Sequence, residues 1–356
     1  PLPVGISFFT FSIITYNVDV YRRKTAAQKK FSELLLYILF FPKLIAGPIV
    51  PYNVMEPQLK DRRPGVTDVY NGSLRFIRGL AKKVLFSGTI GELASSVFDS
   101  GDYSSPLVCW TGALCYSLQL FYDSSGYADM AIGIALLLGF RFPMNFNAPY
   151  TSQSITDFWR RWHISLSSWI RDYIYISLGG NRKGKVRQYI NLIITMLLGG
   201  LWHGASLNFV AWGGMHGVAL AIHKWMRENI FHHDKHYRSH GLRRVIAVLL
   251  TFHFVVFCWI FFRNHTFDDS WIMITKIFTE FHPEVFTQVV EGYWVVFAMI
   301  AFGYLSHFIP DRWNEGCISL VRRGGVVVAA LLVAAVIFIV IQVKSSEIQP
   351  FIYFQF

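Results

Sequence analysis

Long apolar stretches separated by short basic clusters dominate this chain. Leu34 to Val50, Val210 to Ile222, Val245 to Phe262, Val295 to Phe308 and Gly325 to Val343 are nearly uninterrupted. Several approach the roughly 20 residues that cross a bilayer core as a helix. Backbone amides in lipid must pair internally, which leaves helices or a closed barrel. These stretches lack the period-two alternation of barrel strands. The pattern therefore predicts an all-α protein, a polytopic transmembrane helical bundle. Helices are expected near 4–20, 32–46, 71–98, 106–140, 154–177, 188–202, 206–228, 242–263, 291–308 and 324–344.

Two segments do not behave like plain spans. The first, Phe41-Pro-Lys-Leu-Ile-Ala-Gly-Pro-Ile-Val50, ends in Pro and Gly and has basic residues on both flanks. A full crossing would put Lys29 and Lys30 on one side and Lys60, Arg62 and Arg63 on the other, against the usual charge bias. It reads either as a re-entrant segment buried in protein or as a kinked span. The second is 154–177, where Ser154 or Thr156 can cap a helix start. As one continuous helix at ~100° per residue, it would gather Phe158, Trp159, Trp162, Leu166, Trp169, Ile170 and Tyr173 within roughly 120°. Arg160, Ser167 and Arg171 would lie opposite, with His163 at the edge of the apolar arc. That is the signature of an amphipathic helix, either interfacial or packed against a polar cavity.

Composition sharpens the class. The 356 residues are 53% hydrophobic and only 15% charged, too little charge to coat a soluble domain of this size. The formal net charge is +11, and its cations lie between apolar runs: Arg22, Arg23 and Lys24, then Lys82 and Lys83, Arg182 to Arg187, and Arg243 and Arg244. That spacing fits membrane lipids as the partner, through anionic headgroups, and no nucleic acid. Cys109, Cys115, Cys258 and Cys317 form no metal or redox spacing. The chain opens on Pro inside an apolar segment with no cleavage signal, so N-terminal helices of a longer protein are expected to be missing. The remainder reads as a single membrane domain over 1–356, with hydrophobic C-terminal helices in 276–356.

Candidate chemistry centres on a few histidines. His203 sits in Gly-Gly-Leu-Trp-His-Gly, where Gly199, Gly200 and Gly204 permit close backbone approach and leave room for a ligand chain. An imidazole with an ordinary pKa near 6.5 can take a hydroxyl proton and return it. From the residues alone, a catalytic base and a helix-packing histidine are equal readings. His216, thirteen residues on, faces another side of a continuous helix and reads as structural. His223, His253 and His307 read as packing residues. No GxSxG, HExxH or Walker A pattern occurs, which leaves hydrolase and nucleotide-driven pump readings without an anchor.

Several motifs in order carry a resemblance. They are Asp157-Phe-Trp-Arg-Arg-Trp-His163, Trp169-Ile-Arg-Asp-Tyr, Leu-Gly-Gly-Asn181-Arg182, Gly-Gly-Leu-Trp202-His203-Gly and Trp-Gly-Gly-Met-His216-Gly. Together with Ala46-Gly-Pro-Ile, the Gln119 to Gly133 segment and Trp259-Ile-Phe-Phe-Arg, they resemble the membrane-bound O-acyltransferases over residues 1–275. The alginate O-acetyltransferase branch is the nearer likeness. The resemblance implies His203 as the family's invariant histidine and His163 as its upstream partner. It also suggests Trp202, Arg160, Arg161, Asn181, Arg182, Lys183 and Asp123 as residues near the donor or substrate. Asp123 and Asp129 are expected to pair with an arginine such as Arg141 or Arg160.

The implied reaction is transfer of an acetyl group from a cytoplasmic thioester, acetyl-CoA, with no bound cofactor and no metal. An extracytoplasmic SGNH-type acetyltransferase partner and a polysaccharide acceptor would receive it, from a bacterial inner-membrane enzyme. D-alanyl transfer to teichoic acid is the alternative within the family. A proton-coupled transporter using His203 and His163 as a relay, or a catalytically dead scaffold, are the alternatives of other classes.

Overall fold

The computed structural model describes residues 5–343, apart from 102, 104, 235–236, 280–285, 310–312, 314–315, 317–318, 320 and 322. The start of the first apolar segment, His236, His282 and Cys317 thus lie outside the described residues. All regular elements among the described residues are helical, in line with the all-α expectation.

A central helix, α7 (Pro106–Leu137), organises the packing. Ser105 caps it by accepting from the Val108 amide, and Pro106 supplies a first-turn φ with no amide to satisfy. At 1.5 Å per residue α7 is roughly 48 Å long. Against it, antiparallel, lies α5 (Val66–Ala81), which continues through a π turn (Lys82–Ser87) into α6 (Gly88–Phe98). The approach is close because glycines face each other. A Cβ on Gly79 would stand 2.5 Å from the Gly126 carbonyl oxygen, and one on Gly133 would stand 2.7 Å from that of Gly72. On both helices the pair is seven residues apart, about two turns, so one seam runs along the interface.

That seam also brings cations to the carboxylates of α7. Asp129 receives Arg75 at 3.0 Å, Arg78 at 3.1 Å and Lys82 at 2.8 Å. Asp123 pairs with Lys83, with the Ser87 hydroxyl 3.4 Å from the same oxygen. The expected partners Arg141 and Arg160 are not used. Arg141 lies past the end of α7 and binds Asp68 at 3.1 Å, while Arg160 stands on a separate element. In a regular α-helix Lys82 and Lys83 would diverge by ~100°. The π turn widens the helix at this point, and both ammonium groups reach α7. Asp123 is therefore a buried member of this ion-paired frame.

The segment 31–52 doubles back. Here α2 (Phe31–Leu39) has nine residues, roughly 14 Å and far short of a ~30 Å hydrocarbon core. Phe40 is extended, α3 (Phe41–Leu44) adds one turn, and the chain returns to α4 (Tyr52–Lys60). Tyr37 donates to the Val50 carbonyl at 3.1 Å, and the Gln28 side-chain amide donates to the Tyr52 hydroxyl at 2.7 Å. Entry and exit therefore lie side by side. Lys43 is buried inside the turn, 3.0 Å from the Ser12 hydroxyl and 3.6 Å above the Tyr37 ring.

Other basic residues tie the connections to neighbouring helices. Arg22, after α1 (Ile6–Tyr21), donates to the Asp172 carbonyl and the Ser177 hydroxyl at 3.0 and 2.8 Å. Lys185, opening α10 (Lys185–His203), reaches Asn229, which closes α11 (Leu207–Asn229), at 3.5 Å. The chain then crosses to α12 (Gly241–Arg263), whose outer face leaves Leu242, Val245, Ile246, Leu249 and Leu250 exposed. Among the described residues, α12 is the one continuous helix long and apolar enough to cross a membrane. Two further helices, α14 (Phe286–Gly292) and α15 (Trp294–Leu305), belong to a pair bent by 83°. The helices α4 and α13 (Phe267–Thr279) have no counterpart in the sequence expectation, and α16 (Gly325–Val343) matches the last apolar stretch.

The seam predicts opposite outcomes for two glycines. Gly79→Val should lower stability in detergent by about 1–3 kcal/mol through overpacking. Gly88→Ala, whose Cβ would meet nothing closer than 3.9 Å, should be neutral or stabilising by up to ~1 kcal/mol. Thermal melting of the purified protein checks both.

Candidate active site

The segment expected as one amphipathic helix is two short helices and a π turn. α8 (Ile155–Arg161) starts with Ser154 accepting from the Asp157 amide at 3.1 Å. Trp162 is then extended and His163 left-handed, with φ 41° and ψ 56°. α9 (Ile164–Trp169) follows, and a π turn (Ile170–Tyr175) ends the run. The break exists because the freed backbone groups find better partners in a neighbouring segment. The Ile164 amide donates to the Asn145 carbonyl and the Ser165 amide to the Asn145 side chain, both at 2.9 Å. The Asn147 amide donates to the Arg161 carbonyl, also at 2.9 Å. Continuous-helix arithmetic fails beyond Trp162, and His163 points inward as a buried residue.

His203 is the last residue of α10 and is half-buried among four rings. Trp202 lies 4.6 Å away by ring centroids, Phe262 4.8 Å, Trp212 5.3 Å and Phe209 6.1 Å. The glycines around it serve helix approach. A Cβ on Gly200 would stand 2.2 Å from the Phe209 carbonyl oxygen, and one on Gly204 would stand 2.5 Å from the Phe209 ring. This fastens α10 to α11 just where the chain turns between them. Trp202 packs on Phe8 and Phe11 of α1, which joins α1, the doubled-back segment and α9 around one cluster.

His163 and His203, from two separate elements, approach closely enough for their imidazoles to interact electrostatically. Phe146 stands 5.9 Å from His163 and 5.2 Å from Trp162, whose ring meets Trp259. Four rings therefore pack around His203, and Phe146 lies beside His163. Such rings exclude water, and their faces attract a cation formed among them. His216 lies one layer deeper on α11, accepting from the Trp159 indole at 3.3 Å. His253 and His307 each bond a carbonyl one turn back, at 2.8 and 3.1 Å. His223 pairs with the Thr156 hydroxyl at 3.0 Å.

The other sequence candidates do not join this ring cluster, Trp202 excepted. Arg161 is tied to Asp157 at 3.1 Å and steadies α8. Arg160 lines a separate surface cavity with Arg227, Arg238 and Arg243. Asn181, Arg182 and Lys183 are exposed on the turn before α10 and do not line that cavity. Asn145, Trp212 and Phe262 were not singled out from the sequence. Trp212 opens the Trp-Gly-Gly-Met-His216-Gly motif and Phe262 lies in the late Trp259-Ile-Phe-Phe-Arg motif, and those were the available signals.

Comparison with known proteins bears on this geometry. The sequence profile of MBOAT, the membrane-bound O-acyltransferase family, matches residues 15–262. The probable alginate O-acetylase AlgI of Azotobacter vinelandii is 46% identical over 278 residues, covering 78% of this chain and 54% of the relative. The peptidoglycan O-acetyltransferase of Helicobacter pylori is 39% identical over 296 residues, 76% of this chain and 55% of that protein. The teichoic acid D-alanyltransferase of Bacillus subtilis is 28% identical over 277 residues, 74% and 69%. The chain spans about half the length of the first of these relatives.

The left-handed backbone at 163 makes a prediction separable from chemistry. Asn tolerates this conformation, whereas a β-branched residue pays about 1–2 kcal/mol. His163→Asn should therefore melt near the wild type and His163→Val clearly below it. Equal melting temperatures would contradict the strained break.

Proposed function

Because the chain belongs to the membrane-bound O-acyltransferase family, we propose that it is a multi-pass enzyme of the bacterial inner membrane. It passes an acetyl group from a cytoplasmic thioester to a hydroxyl acceptor on the far side. The observation that carries this reading is His203 set among Trp202, Phe209, Trp212 and Phe262, with His163 from a separate element within electrostatic range. The end where Lys185 opens α10 and meets Asn229 at the close of α11 is the cytoplasmic end by charge bias. α10 runs 19 residues from there to His203, roughly 28 Å, close to the thickness of a hydrocarbon core. His203 thus stands towards the opposite face, where an extracytoplasmic acceptor arrives. The doubled-back segment 31–52 is a re-entrant loop in this reading, its polar groups satisfied inside the protein.

The chemistry balances with one base. Neutral His203 takes the acceptor proton as the hydroxyl oxygen attacks the thioester carbonyl. The tetrahedral intermediate collapses, the carbon–sulfur bond breaks, and the thiolate takes the proton back. An ester and a free thiol result. The transient imidazolium faces Trp202, Trp212 and Phe262, whose rings favour a cation in a dry site. His163 orients this ring. The acceptor is a polysaccharide hydroxyl, or the hydroxyl of an SGNH-type partner that modifies the polysaccharide. The relatives' names, alginate and peptidoglycan acetylation among them, support that class.

His203→Ala and His203→Gln should each cut ester-linked acetate on the host's extracellular glycans by at least ~100-fold at unchanged membrane abundance. Mass analysis of the glycans measures this. Wild-type acetylation by either variant would sink the mechanism and leave a scaffold role.

A further inference from the structure

Attack on a thioester carbonyl places negative charge on its oxygen, and a dry site then needs hydrogen-bond donors set where that charge develops. The side chains packed on His203 are rings. Trp212 among them has a buried indole N–H that makes no hydrogen bond among the described residues. The rings of Trp159, His216 and Trp259 lie within 5.8 Å of its own, however, and their faces can receive that N–H. A donor with no such outlet stands at the His163 break.

Asn145 is only 1% exposed. Its main-chain carbonyl accepts from the Ile164 amide and its side-chain oxygen from the Ser165 amide, both at 2.9 Å. These bonds pin the carboxamide to the two residues that follow His163. Its Nδ2 is buried and makes no hydrogen bond among the described residues, and the same holds for the Ser165 hydroxyl. The oxygen and nitrogen of a carboxamide are roughly 2.3 Å apart, so Nδ2 stands within roughly 5 Å of the Ser165 amide. The adjoining residue, Phe146, has its ring 5.9 Å from the His163 imidazole. A buried polar group without a partner costs about 1–3 kcal/mol, and protein interiors almost always supply one. For Nδ2 the complement is an acceptor, because an NH2 group only donates.

We propose that Asn145 is a further catalytic residue: its NH2 group, with the Ser165 hydroxyl beside it, donates to the carbonyl oxygen of the bound acyl group. The proposal rests on the acyl-transfer reading given above and adds an oxyanion contact to it. As the acceptor oxygen bonds to the carbonyl carbon, one electron pair of the C=O bond moves onto its oxygen, where the two donors meet it. That pair returns when the carbon–sulfur bond breaks, and neither Asn145 nor Ser165 gains or loses a proton. Donors already fixed by main-chain bonds need no reorganisation as the charge appears. One carboxamide thus has two duties: its oxygen keeps the backbone break, and its nitrogen meets the substrate.

Mutation separates the two duties, with the rate of ester-linked acetate formation on the host's glycans read per unit of membrane protein. Asn145→Asp keeps an acceptor for the Ser165 amide but brings no N–H. It should cut the rate at least ~100-fold and melt near the wild type. Asn145→Leu loses both contacts, and should be as slow and melt clearly lower. Ser165→Ala leaves the main-chain bond in place and should slow transfer roughly 3–10-fold without a change in melting. A purely structural Asn145 predicts a wild-type rate for the Asp variant, and that result overturns the proposal. Should the Asp variant fail to accumulate, Ser165→Ala decides, and a wild-type rate there overturns it equally. His203→Ala measured alongside keeps the two readings apart. If it is inactive while Asn145→Asp works normally, only the oxyanion contact falls. If His203→Ala itself acetylates normally, the base mechanism falls and this contact falls with it.

Discussion

The arrangement of the site depends on a backbone interruption that buried hydrogen bonds sustain. Ending a helix inside protein frees amides and carbonyls that cannot be left unpaired at low dielectric. At Trp162–His163 the segment around Asn145 takes them up, with both the main chain and the side chain of Asn145 engaged. This compensation allows a non-glycine residue to hold the left-handed conformation and turns the His163 ring inward. Without it, 155–169 would continue as one helix and its later side chains would rotate away from α10. The local strain is thus balanced by bonds made elsewhere, as is common where geometry serves chemistry.

A rigid surround gives that interruption its value. α5 and α7 meet through facing glycines and a buried set of ion pairs, and removing one partner of such a pair leaves an uncompensated charge. α10 and α11 meet through Gly200 and Gly213, with a Cβ on Gly213 only 2.5 Å from the Met196 carbonyl oxygen. Small residues let backbones approach where lipid offers no hydrophobic drive between helices. The aromatic rings then fill the space between these pairs around His203, Trp162 and His216. Close helix contact, ion pairing and ring packing together hold two imidazoles that are 40 positions apart in sequence.

The most apolar helices were legible in the sequence because run length alone marks them, as for 241–263 and 325–343. The short ones were not. α4 contains Pro57 and polar residues, and α13 begins with two aspartates, so neither has a strong apolar pattern. The break at His163 was hidden because its cause is tertiary: Asn145 lies some twenty residues away and no local proline or glycine announces it. Asp129 does pair with arginines, Arg75 and Arg78, but not with the expected Arg141 or Arg160, since the facing glycines of α5 and α7 reveal a partner only once both helices are seen together. Lys43 stands in an apolar stretch with no sequence signal for its role, which is packing of the turn beside Ser12 and Tyr37. The arginine cavity was likewise invisible, because its residues come from separate elements.

In the proposed transfer, His163 acts through His203 as one unit. A double-mutant cycle on acetyl transfer tests it directly, comparing His163→Ala, His203→Ala and the double variant at equal protein abundance. Residues that act as a unit give grossly non-additive losses. The account predicts that the double variant is no slower than His203→Ala alone. Losses that multiply, with His163→Ala slowing the His203→Ala background as much as it slows the wild type, would contradict it.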